Sequence, residues 1–118
     1  MIGPRILVKQ FPHLCEYHVT EILSNDPGQR FDRPIRDSSE KLIKKLGLRG
    51  ESLIRYLITV DGVVSLFISP YLLVVTKGEA FSFDDIDPGV IIVLTNIFTS
   101  RGIDPRDIKI ERGPFLPS

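Results

Sequence analysis

The chain has 118 residues, of which 42% are apolar and 25% charged, with 15 Lys and Arg against 15 Asp and Glu. This composition specifies one globular domain whose core suffices without a disulfide or metal, and it excludes a disordered chain. A zero net charge gives no general drive toward nucleic acid or an anionic membrane, and neither partner is expected.

"RILVKQ" (Arg5 to Gln10) reads as a first strand, bounded by Gly3-Pro4 and Pro12. "EYHVTEIL" (Glu16 to Leu23) reads as a second, with Tyr17, Val19 and Ile22-Leu23 in near alternation. "SNDPGQRFDRP" is a loop by its turn residues, and a short extended piece follows around Phe31 to Ile35. In "RDSSEKLIKKLGLRG" Asp37 and Glu40 have the reciprocal spacing of a helix cap, with Ser38 as the alternative. Leu42, Ile43 and Leu46 then share a face, and Gly47 suits a helix end. Leu53, Ile54, Leu57 and Ile58 make a second stripe, and the pattern leaves open one kinked helix or two.

"GVVSLFISPYLLVVTK" follows: two apolar, β-branched runs around Ser69-Pro70-Tyr71, predicting a hairpin at the centre of a sheet. "GVIIVLTNIF" is the last predicted helix, with Asp85 or Asp87 as its cap and Pro88 in its first turn. These elements predict an α+β fold in which an antiparallel β-sheet with a central hairpin is covered on one face by helices, in ββ-α-ββ-α order. Residues 1–98 make the domain, and residues 99–118 are expected to form a C-terminal tail.

The hairpin sequence resembles the signature of the N-terminal domain of NifU-like (Nfu-type) iron–sulfur cluster scaffold proteins. That signature joins a Gly-Val pair, a Ser, an apolar triplet, a turn often holding Pro, an apolar trio and a closing Val-Thr-Lys. Ser52-Leu53-Ile54 and Leu57-Ile58 occupy the place of the helix before the Gly-Val. "FSFDDIDPGVIIVL" is similar to the family's aromatic, acidic pair, apolar residue, Pro and helix, with Phe83 where Trp is common. "QFPHLCEYHVTEIL" takes the place of its first inter-strand turn, so the resemblance spans about residues 5–98. It implies the fold and a setting in iron–sulfur cluster handling. Two departures limit it: the segment between Arg30 and Gly50 is longer than usual, and the family's C-x-x-C lies in a separate C-terminal domain. One cysteine cannot supply that pair, so no cluster-binding residue carries over.

Cys15 as the lone cysteine excludes an internal disulfide and fits a reducing compartment. No apolar run reaches the ~18 residues of a spanning helix. The start "MIGPRILVKQFPH" lacks a signal-peptide core, so a cytoplasmic location is expected. His13, Cys15 and His18 are a thiolate and two imidazoles close in sequence, suited to a soft metal, although strand alternation sets 18 opposite 13 and 15. Phosphate loops, nucleophile elbows and zinc-protease motifs are lacking, so no enzyme and no cofactor is expected.

Charge is distributed unevenly. Residues 30–55 carry eight Lys and Arg against four acids, and residues 79–87 carry four acids and no base. Amphipathic helices with solvated faces account for this; two opposed charged faces would also steer a protein partner or favour self-association. The expected role is a non-enzymatic binding or adaptor domain docking on an iron–sulfur scaffold or client. Its predicted partner-binding residues are Arg33, Arg36, Lys41, Lys44, Lys45, Arg49 and Arg55. The alternatives are a metal or cluster carrier through Cys15 with His13 and His18, or an interaction domain unrelated to clusters.

Overall fold

Three strands, β1 (Arg5–Gln10), β2 (Leu14–Val19) and β3 (Gln29–Asp32), precede helices α1 (Glu40–Lys45) and α2 (Gly47–Leu57). The hairpin β4 (Val63–Ser69) and β5 (Leu72–Lys77) leads to helix α3 (Phe83–Thr99) and a last strand, β6 (Lys109–Arg112). The structure is a computed structural model and describes residues 3–113. Its six strands make one sheet in the order β3-β4-β5-β2-β1-β6.

The hairpin holds interior positions because its alternate residues are all needed by the core. Leu66, Ile68, Leu73 and Val75 are fully buried, and side chains of this kind contribute about 1.5–3 kcal/mol each when taken from water. From the neighbouring strands Ile6, Val8, Tyr17 and Val19 join them, and Leu53, Ile54 and Leu57 of α2 with Val90, Leu94 and Phe98 of α3 complete the same cluster. The opposite face of the sheet holds Leu7, Glu16, His18, Phe67, Leu72 and Val74, all half-buried. Helices therefore cover one face, as expected of an α+β fold. At the hairpin's entry Gly62 has φ +93°, and a Cβ there would meet the ring of Phe81 at 2.6 Å. Only glycine combines that backbone with that contact.

The sheet is mixed, not purely antiparallel, and the order is richer than ββ-α-ββ-α. β3 pairs with β4 along the outer edge, set by Phe31 packing opposite Leu66. The segment between β3 and β4 forms two helices, divided at Gly47 with φ +87°. Neither α1 nor the turn before it receives a side-chain cap, so the expected capping by Asp37 or Ser38 does not form. α3 begins earlier than its apolar stripe indicates. Ser82 Oγ accepts the Asp84 N–H at 3.2 Å and caps it, and Pro88 lies inside the helix at the cost of one intrahelical bond.

Residues 109–112, expected within a detached tail, instead pair in parallel with β1. After α3 the chain turns through Pro105–Asp107 and returns alongside the first strand, so these residues belong to the sheet. Of the expected tail, residues 114–118 lie outside the described residues. Among the described residues no helix is long and apolar enough to cross a membrane.

Candidate functional site

The seven predicted partner-binding residues divide into two groups. Arg33, Arg49 and Arg55 are tied into the fold. Arg33 donates to the carbonyls of Val60 and Val63 at 3.2 and 3.3 Å, fastening the exit of β3 to the start of the hairpin. Arg49 donates to the Ile22 carbonyl at 3.0 Å. Arg55 forks to Glu40 at 2.6 Å and Glu51 at 3.0 Å, joining α1 to α2. That guanidinium holds the Glu40 carboxyl below its usual range.

Arg36, Lys41, Lys44 and Lys45 are exposed, and among the described residues none of them makes an ion pair. The three lysines occupy the polar side of α1, whose Ile43 is buried. Arg36 stands apart with Arg33 beside a small polar depression near the end of β3. The predicted basic face is thus narrower than the sequence implies, and its free charge is concentrated on α1. On the acidic side Asp84 and Asp85 occupy the first turn of α3, where they complement its dipole.

Asp87, the fourth acid of that run, serves the interior. Its Oδ1 accepts from the Tyr17 hydroxyl at 2.7 Å, and its Oδ2 pairs with an Arg112 nitrogen at 2.7 Å. One carboxylate thereby joins β2, α3 and β6. It gives an acceptor to the hydroxyl of Tyr17, a side chain wholly removed from solvent. The sequence offers Asp85 or Asp87 as the cap of α3; Ser82 takes that place, and the register of β6 gives Asp87 its second partner.

Cys15 lies on the same face of β2 as Tyr17 and is fully buried. His18 points to the opposite face and is 2.9 Å from Glu16, while His13 is exposed in the turn before β2. These three residues cannot share an ion in this arrangement. Among the described residues no three His, Cys, Asp or Glu side chains converge on a metal position.

Burial pushes the Cys15 thiol up to about 11 and raises the Tyr17 phenol as well. Both folded groups hold their protons at pH values where the unfolded groups release them. The stability Cys15 contributes is complete below about pH 9 and is lost as pH rises toward about 11, and that of Tyr17 is lost only at higher pH. The thermal midpoint should fall across that window, with a shallower fall for Cys15→Ala. The native thiol should resist a maleimide at pH 8 and react once denaturant is added; rapid native labelling would contradict its enclosure.

A feature missed from the sequence lies on the helical layer. Leu48 and Tyr56 of α2 face Val93 and Ile97 of α3 across an open groove of about 370 Å³. Leu48 is 87% exposed and Tyr56 is 59% exposed. Their signal was present: both are large apolar residues off the buried stripe of Leu53, Ile54 and Leu57.

Two solved structures share this α+β architecture. The crystal structure of protein SAV1430 from Staphylococcus aureus is 17% identical, with a TM-score of 0.54 over 74% of this chain and 93% of that one. The solution structure of a NifU-like protein from Saccharomyces cerevisiae is 20% identical, with a TM-score of 0.60 over 85% of this chain and 81% of that one. At such identity the likeness is one of fold. The chain matches no protein-family model and no curated protein.

Proposed function

We propose that this chain is a non-enzymatic adaptor domain of the Nfu N-terminal type, acting in iron–sulfur cluster assembly or delivery by docking on a cysteine-bearing scaffold or client. The fold it shares with a NifU-like protein, together with the hairpin signature, supports the setting. The observation that carries the adaptor role is the enclosure of Cys15, the chain's single thiol, in the core. A domain whose one cysteine faces inward needs its partner to supply the cluster ligands. The free lysines of α1 offer that partner a cationic approach.

Anaerobic reconstitution of the full chain with iron and sulfide separates this role from direct carriage. The adaptor stays colourless after desalting. A brown protein with visible charge-transfer absorption, lost in Cys15→Ser, would establish a carrier instead.

A further inference from the structure

The groove between α2 and α3 is built as a binding surface. Its apolar side runs from Leu48 to Tyr56 on α2, about 12 Å along the helix axis, enough for two turns of a docked helix. Its floor is Val93 and Ile97, among the least enclosed members of the core at 7% and 9% exposure. Exposed apolar side chains flanking a half-open apolar floor are the usual mark of an interaction site rather than of a solvated surface.

Charge assigns the occupant. At the Leu48 end the groove continues into a second depression that Leu48 and Arg49 share with Arg101. Among the described residues the only charged ones lining the two depressions are these two arginines, and no carboxylate lines either. Arg49 spends one N–H on the Ile22 carbonyl, and Arg101 is 3.7 Å from Glu21. The groove is therefore polarised: its Tyr56 end is lined by uncharged side chains, and its Leu48 end holds Arg49 and Arg101, the latter beside Glu21. A basic helix would find like charge at that end, and an uncharged one would leave it unmatched.

We propose that this groove binds an acidic amphipathic helix of a partner protein, with two large apolar side chains one turn apart seated between Leu48 and Tyr56, and with carboxylates at Arg49 and Arg101. This is the helix-in-groove mode of recognition. The proposal rests on the adaptor reading only in taking the partner to be a protein.

The test pans the immobilised full chain against a displayed library of short helical peptides, and the selected peptides are then measured against Leu48→Asp. Leu48 is so exposed that its replacement leaves the core intact, and an unchanged amide spectrum checks this. The selected peptides should share two large apolar residues one turn apart and Asp or Glu at one end. Leu48→Asp should weaken them at least about tenfold, and Arg101→Glu should weaken the acidic ones again. Peptides that bind Leu48→Asp equally, that carry no acidic residues, or that fail to emerge would overturn the proposal. So would a dimer in sedimentation that Leu48→Asp dissolves, since the groove would then belong to a second copy. No iron–sulfur protein enters this experiment, so its failure leaves the setting proposed above standing, and the failure of that setting leaves the groove intact.

Discussion

Asp87→Ala should lower the stability of the domain by about 2–3 kcal/mol, and its thermal midpoint by roughly 10 °C. The carboxylate takes the Tyr17 hydroxyl at 2.7 Å and pairs with Arg112 at 2.7 Å, so one truncation breaks both. Most of the loss comes from the tyrosine, whose buried hydroxyl is left without an acceptor. The Arg112 pair contributes less, because its guanidinium side is 53% exposed and screened by water. Asp87→Asn keeps an acceptor for Tyr17 and should cost less. Tyr17→Phe should cost about 1 kcal/mol, and the double variant should fall short of the sum because both changes remove the same bond. Chemical denaturation of the four variants and their parent measures this. An Asp87→Ala domain as stable as its parent would show that the carboxylate joins nothing of consequence. Hydrogen exchange adds a local reading: the β6 amides, paired along one edge with β1 and tied to α3 through the Arg112–Asp87 pair, should open earlier in the variant.

The second large effect concerns binding. Lys44→Glu/Lys45→Glu should reduce affinity for an acidic partner at least about tenfold at low ionic strength, and the deficit should shrink as salt is added. Both side chains are exposed, and among the described residues neither is engaged in an ion pair, so no ion pair of the fold is lost with their charge. The exchange turns two positive charges into two negative ones, moving the chain from neutral to a net charge of −4. Unlike Arg33, Arg49 and Arg55, whose replacement also removes bonds to carbonyls or carboxylates, these lysines report on partner contact alone. Equal affinity in parent and variant would move the docking surface off α1.

Much of the fold was legible because its signals are local. β1 occupies the residues its flanking prolines define, and β4 and β5 fall where β-branched runs meet a two-residue turn. What escaped was determined at a distance. All four residues of β6 are exposed, so no apolar alternation marks it; it exists because β1 offers a parallel edge. β2 starts at Leu14 and stops at Val19, since Thr20 onward turns away to leave Val19 and Leu23 bonded to the hairpin loop carbonyls of Tyr71 and Pro70. The start of α3 was obscured by Pro88, which reads as a first-turn residue but sits a turn deeper behind the Ser82 cap.

The basic segment was visible as composition, yet composition could not separate arginines that brace the fold from lysines that face solvent. Arg55 looks like surface charge in sequence; in space it is the bridge between α1 and α2. The groove needed the packing of α2 on α3 before Leu48 and Ile97 could be seen as neighbours. Cys15 stands before the strand expected from Glu16; only the start of β2 at Leu14 puts it in alternation with Tyr17 and Val19 on the buried face.

The most direct measurement is an anaerobic pull-down with the tagged full chain at low and moderate salt, with bound proteins identified by mass spectrometry. An adaptor in cluster handling should enrich a cysteine-bearing iron–sulfur scaffold or client at low salt, retain less of it at moderate salt, and retain least with Lys44→Glu/Lys45→Glu. If no such protein is enriched, whatever else binds, the chain shares the fold of a NifU-like protein without sharing its setting.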